Sequence, residues 1–220
     1  MSPLERFLNP ASVSLKICGV TVAEEGERLA TLGVEALGAN FWPKSKRYLD
    51  PANAAWLEGL AGRILRVGVF VNAKPSTAIE LVEKGWIDVV QLHGDESPED
   101  AAPYRDAGIP FIKAIGVATS AHLAHATDYG ASALLMDAHA PGVYGGTGET
   151  FDWSTAVSFK EQHPDLPIVL AGGIVPENAK EAAQTVQPAA LDVASGAELS
   201  PGIKDFGKVQ LLLSAIENAD

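Results

Sequence analysis

The residues best placed to do chemistry begin with a carboxylate. The apolar run Ala133 to Met136 stops at Asp137, and the loop beyond it holds Gly142, Gly145, Gly146 and Gly148. A run of that length reads as a buried strand, so Asp137 sits at a strand's carboxyl end. There it serves as a general acid if desolvation or a nearby negative charge raises its pKa, or else it caps the loop that follows. Glycines at this density let backbone amides approach an anion, so the loop around Gly146 either covers a phosphate or substrate or is a plain structural connection.

Cys18, the single cysteine, closes an alternating segment from Ser12 to Ile17. At a strand end its thiol is open to deprotonation by neighbouring cations; the plainer reading is a small apolar core residue. Side chains two apart in a strand share a face, so Lys16 points the same way one layer lower, and a buried lysine needs a carboxylate. Asp192, on the last strand, is the predicted partner. His93 is either a ligand contact or a hydrogen-bonded wall residue. Arg47 is either a fork for a carboxylate or one solvated cation among Lys44, Lys46 and Arg47. Gly172-Gly173 and Ser195-Gly196 follow two adjacent apolar runs, and small residues in both turns leave amides free to hold a phosphate. The histidines at 93, 122, 125, 139 and 163 show no metal-ligand spacing, so no metal site is expected.

These residues are positioned by a repeating unit. Short apolar strands are predicted at 12–17, 34–38, 63–71, 88–92, 110–115, 133–137, 167–171 and 189–193. Helices are predicted from Thr21, with Glu24 completing a capping box, to Gly33, and then at 51–60, 76–84, from Ser97, 120–127, 151–162, 176–183 and 205–219. Pro103 falls deep in the helix that starts at Ser97 and predicts a kinked or short one. Strands joined by helices must run parallel, and eight such units close into an α/β (β/α)8 TIM barrel, although an open doubly wound sheet shares the local pattern. In a barrel the active site lies at the carboxyl ends of the strands, where Cys18, His93, Lys113, Asp137, Gly172-Gly173 and Ser195-Gly196 fall.

Composition narrows the class. With 220 residues, 47% hydrophobic and 20% charged, and no linker or repeat, the chain reads as one domain over 1–220 with a short leader at 1–11. The net charge of −12 argues against nucleic acid as a partner. No apolar run nears the roughly 20 residues that cross a bilayer, and the leader lacks a signal-peptide core, so no membrane is expected and the location is cytoplasmic. One cysteine agrees with a reducing compartment.

Several segments together resemble the phosphoribosylanthranilate isomerase family of tryptophan biosynthesis. They are Lys16-Ile-Cys-Gly19, Pro43-Lys-Ser-Lys-Arg47, Val90-Gln-Leu-His-Gly94, Ile112-Lys-Ala-Ile115, Asp137 with Gly145-Gly-Thr-Gly148 and Phe151-Asp-Trp153, Ala171-Gly-Gly-Ile174, and 192–196. They cover the chain from about Leu15 to Asp205 in order. The resemblance implies a (β/α)8 barrel that converts a phosphosugar, N-(5-phosphoribosyl)anthranilate, to 1-(2-carboxyphenylamino)-1-deoxyribulose 5-phosphate by an Amadori rearrangement without cofactor or metal. It places the general base on Cys18 and the general acid on Asp137. The substrate carboxylate falls to Arg47, the phosphate to Gly172, Gly173, Ser195 and Gly196, with His93 and Gly146 as further substrate contacts. Ala39-Asn40 departs from the family's Gly and bulky apolar residue and bears on substrate fit. The alternatives are another aminoaldose isomerase or a non-catalytic phosphosugar-binding barrel. A barrel's helices and loops also permit a homodimer.

Overall fold

The computed structural model describes residues 1–9, 11–138 and 152–217. Eight parallel strands close into one barrel in sequence order: β1 (Ser14–Cys18), β2 (Ala36–Asn40), β3 (Leu65–Phe70), β4 (Val89–Leu92), β5 (Phe111–Val117), β6 (Ala133–Ala138), β7 (Ile168–Leu170) and β8 (Ala190–Val193). β8 pairs back onto β1 with Lys16 opposite Asp192, so no edge remains and the open-sheet alternative is excluded.

The strands are apolar on both faces because both are covered. Leu15, Ile17, Leu37, Phe111, Leu134, Met136 and Leu191 pack outward against the helices. Their neighbours Ala36, Val67, Val89, Ile112, Leu135, Val169 and Ala190 pack in the interior. Alternation therefore turns Lys16, Cys18, Gln91, Asp137 and Asp192 inward, and puts Lys113 on the outer face with Phe111.

The surrounding helices depart from expectation where composition is weak. After β1 runs α2 (Ala23–Leu32), which Gly33 ends in the left-handed region, but its N-cap is Val22; the Thr21 hydroxyl instead donates to the Gly202 carbonyl. After β2 the expected helix is two 3-10 segments, Pro51–Asn53 and Ala55–Leu60, with Leu57 and Leu60 buried at a three-residue spacing. Gly59, Gly62 and Asn53 are poor helix formers, and the tighter turn still buries both leucines. A similar pair, Ser120–Leu123 and Ala126–Tyr129, follows β5. α3 is Pro75–Glu83. Ser97 and Asp100 exchange side-chain to backbone bonds as expected of a helix start. The α-helix itself, α4, covers only Ala102–Asp106, so Pro103 lies in its first turn, where proline is tolerated. α5 (Ser154–Gln162) and α6 (Pro176–Val186) complete the next two units. After β8 come a 3-10 turn, Ser195–Ala197, a hairpin of β9 (Glu198–Ser200) and β10 (Ile203–Lys204), and then α7 (Phe206–Glu217).

The leader is structured. α1 (Pro3–Phe7) starts with a capping box, Ser2 and Glu5 each bonding the other's backbone amide, a signal present in Ser-Pro-Leu-Glu. Its Phe7 is fully buried against Ala36, Leu65, Val89 and Ala133, which open their strands, so the ring plugs the amino-terminal floor of the barrel. Phe7→Ala is expected to destabilise the fold by about 3–5 kcal/mol, the usual cost of emptying a buried phenyl site. A urea midpoint within error of wild type would show that the ring does not close the floor.

Candidate active site

At the top of β1, Cys18 stands over Lys16 on the interior face. Lys16 is fully buried, and its Nζ lies 2.9 Å from Asp192 Oδ1. The angle falls outside hydrogen-bonding geometry, so among the described residues neither atom has a hydrogen-bond partner and the contact is one of charge. Burial works against the lysine's charge, but Asp192 and Cys18 outweigh it and hold Lys16 as an ammonium. Cys18 fits above because its neighbour across the β1–β2 ladder is Gly38; a Cβ there would come within 2.7 Å of the sulfur.

The thiol's environment divides by sign. Burial pushes its pKa up, Lys16 draws it down, Asp192 raises it again, and Lys204 and Arg47 lower it; the sum lies above the ordinary thiol value. Desolvation wins because the cations around the buried thiol are already paired with carboxylates. The expected effect of cations on this thiol is present in direction and outweighed in sum.

Arg47 lies in the loop after β2 and forks onto Glu198 through Nε and Nη2, at 2.8 Å and 2.7 Å. Among the described residues its Nη1 makes no hydrogen bond, so one edge of the guanidinium remains for a second anion. The reading of Arg47 as a solvated cation is thereby set aside. Glu198 and Lys204 carry no local signature in the sequence, and both emerge only from the hairpin after β8.

At the end of β6, Asp137 accepts from the Ala138 amide through Oδ1 at 2.8 Å. Its Oδ2 lies 3.4 Å from His93 Nε2. The other ring nitrogen, Nδ1, is 2.7 Å from Gln91 Nε2. With an amide nitrogen on Nδ1, the imidazole proton sits on Nε2, towards the carboxylate. His93 is thus a hydrogen-bonded wall residue that also reaches the candidate acid. Gln91 was not singled out in the sequence, although a polar residue in the apolar run Val89-Val-Gln-Leu, two before His93, has to share its face. Lys113 does not join the site. It donates to the Gly94 carbonyl at 2.7 Å and to Glu96 at 2.8 Å on the outer face, pinning the loop that carries His93.

The turns after β7 and β8 meet. Gly172 and Gly173 both take positive φ, +86° and +62°, and a Cβ on Gly196 would collide with the Ile174 carbonyl oxygen. Only glycine permits that approach. Among the described residues, the amides of Gly172, Gly173, Ser195 and Gly196 donate to no backbone acceptor. Asn178 braces the first turn, accepting from Val175 and donating to the Gly173 carbonyl. Gly146 and the glycines around it lie outside the described residues. No group of three His, Cys, Asp or Glu side chains placed to hold a metal lies among the described residues, and no helix there is long and apolar enough to cross a membrane.

Residues 15–215 match the family model described as N-(5'phosphoribosyl)anthranilate (PRA) isomerase. The chain is 41% identical over 208 residues to the N-(5'-phosphoribosyl)anthranilate isomerase of Synechococcus sp. (strain JA-3-3Ab), covering 93% of this chain and 91% of that one. The crystal structure of phosphoribosyl anthranilate isomerase from Thermotoga maritima superposes with a TM-score of 0.85 at 35% identity, over 94% of this chain and 99% of the other. A second, of such an isomerase in complex with reduced 1-(o-carboxyphenylamino)-1-deoxyribulose 5-phosphate, gives 0.81 at 33% identity over 94% and 99%.

The charge balance at Cys18 yields a titration. A raised thiol pKa leaves less thiolate at neutral pH than in free cysteine. The rate of alkylation by iodoacetamide should therefore rise with pH to a midpoint above the about 8.5 of an unperturbed thiol. A midpoint below that value would mean that the three cations outweigh burial.

Proposed function

The chain belongs to the N-(5'-phosphoribosyl)anthranilate isomerase family, and on that premise we propose that Cys18 and Asp137 divide the base and acid work of its isomerisation. The reaction converts N-(5-phosphoribosyl)anthranilate to 1-(2-carboxyphenylamino)-1-deoxyribulose 5-phosphate, in tryptophan biosynthesis. The observation that carries the division of roles is the placement of one thiol and one carboxyl on the interior face at the carboxyl ends of β1 and β6. Cys18 has an ammonium beneath it; Asp137 has an imidazole N–H and a backbone amide.

Asp137 protonates the ribose ring oxygen, and the furanose opens to a Schiff base between C1 and the anthranilate nitrogen. Cys18, as thiolate, then removes the proton from C2, and the electrons move into an enolamine. The enolamine becomes the ketone as C1 gains a proton and the C2 hydroxyl loses one. Proton donation and removal balance over the cycle, as an isomerisation requires. The Lys16 ammonium stabilises the thiolate while it exists, a charge in a low-dielectric interior acting where negative charge develops. The phosphate is held by the amides of Gly172, Gly173, Ser195 and Gly196, and the anthranilate carboxylate by the open edge of Arg47. The single domain of this enzyme, with its one unpaired thiol, works in the reducing cytoplasm.

Loss of the substrate's fluorescence tests the reading. Wild type is expected to turn over, and Cys18→Ser and Asp137→Asn each to lose at least about a hundredfold in kcat while still binding the reduced product analogue, since each removes one arm of acid–base catalysis. Binding of the analogue without turnover by wild type would make the chain a phosphosugar-binding barrel and overturn both roles.

A further inference from the structure

Past β8 the chain runs through a segment, 195–204, that touches three parts of the site. It begins with the turn at Ser195–Ala197, where two of the phosphate-binding amides stand, and continues into β9 with Glu198. That carboxylate is 5% exposed and accepts from four donors. Arg47 Nε and Nη2 fork onto it, Lys204 Nζ reaches Oε1 at 2.6 Å, and the Gly202 amide reaches the same oxygen at 3.1 Å. Lys204 is buried too, and its ammonium also donates to the Cys18 carbonyl at 2.6 Å. The hairpin is clasped from the other side: Thr21 donates to the Gly202 carbonyl, and the Lys204 amide donates to Glu25. The stem of Arg47 lies over Gly19, where a Cβ would collide with its Cδ, so the guanidinium reaches Glu198 directly beside the cysteine.

We infer that Glu198 is a positioning residue: it fixes the orientation of Arg47 for the substrate carboxylate, and cancels one of the two positive charges, Arg47 and Lys204, that it bridges beside Cys18. The inference rests on the functional reading above. Two cations and one carboxylate leave a single positive charge at the mouth, which matches one arylcarboxylate. Without Glu198, Arg47 has no partner among the described residues to hold its Nε edge, and a long flexible side chain held at one edge loses less rotamer freedom on binding than a free one. The charges facing the thiol are Lys16 below, Asp192 on β8, Lys204 on β10 and Arg47 in the loop after β2. Glu198 stands between the last two. Its own carboxyl is pushed up by burial, but the bonds from Arg47 and Lys204 hold it below the ordinary range, so it is an anion at neutral pH.

The test is Glu198→Gln, which keeps the shape, removes the charge and turns one of the two accepting oxygens into a donor that cannot hold its Arg47 or Lys204 partner. Its KM should rise by roughly tenfold or more, with kcat changed less, because the orientation of a binding group is lost and the reacting groups remain. Independently, the midpoint of Cys18 alkylation should fall by about half a pH unit or more, since two cations now act on the thiol uncancelled. A folded variant with unchanged KM and midpoint overturns the proposal, and a raised KM with an unmoved midpoint overturns its electrostatic half. If Glu198→Gln fails to fold, Lys204→Met gives the opposite sign: removal of a cation should raise the midpoint, and no rise overturns the proposal. Alkylation needs no turnover. Failure of the functional reading would therefore appear as wild-type inactivity, with the thiol measurements still deciding the role of Glu198.

Discussion

Closing eight parallel strands into a barrel forces alternate side chains onto a common axis, and on that axis the chain buries Lys16 against Asp192. Two charges taken out of water are tolerated only where each compensates the other. Their register is set by the β1–β8 closure, the one pairing that joins the first strand to the last. The same closure seats Cys18 directly above. A thiol placed on a paired ammonium has a cation available when it ionises, yet at rest it is desolvated enough to keep its proton.

The mouth then separates two kinds of chemistry by which strand end carries what. Around β1 the neighbours are cationic and partly cancelled, and they come from β10 and the loop after β2. Around β6 the neighbours are an imidazole and, behind it, an amide on β4. Cys18 and Asp137 therefore take their surroundings from different walls of one cavity. The turns after β7 and β8 lie between these walls, and the amides of Gly172, Gly173, Ser195 and Gly196 donate to no backbone acceptor among the described residues.

Opposite ends of the barrel serve different ends. At the amino-terminal floor, Phe7 fills space among the residues that open the strands and adds burial without touching the site. At the carboxyl-terminal mouth, polar side chains are buried at the cost of stability and are held by one another. Glu198 carries the largest share, with Arg47, Lys204 and Gly202 all converging on its two oxygens.

Much was legible in the sequence, for physical reasons. Parallel strands in sequence followed from apolar runs joined by helix-period connections, although closure against an open sheet needed the β8–β1 pairing; a period of two put Lys16 with Cys18 and required a carboxylate that Asp192 supplies. Glycine pairs announced the turns after β7 and β8 because only glycine allows their backbone and close approach. Other features required the tertiary structure. The 3-10 segments after β2 and β5 arise from weak helix formers pressed onto the barrel, where burial of Leu57 and Leu60 overrides the longer helical period. Thr21 looked like a cap and is a clasp: its hydroxyl donates to the Gly202 carbonyl, 181 residues later. Glu198 meets Arg47 across 151 positions of chain, Lys204 reaches the Cys18 carbonyl across 186, and Lys113 turns outward by strand parity rather than into the mouth. Local pattern determines which elements form and which faces they bury; which distant charges become partners is decided only when the barrel closes and brings its loops together.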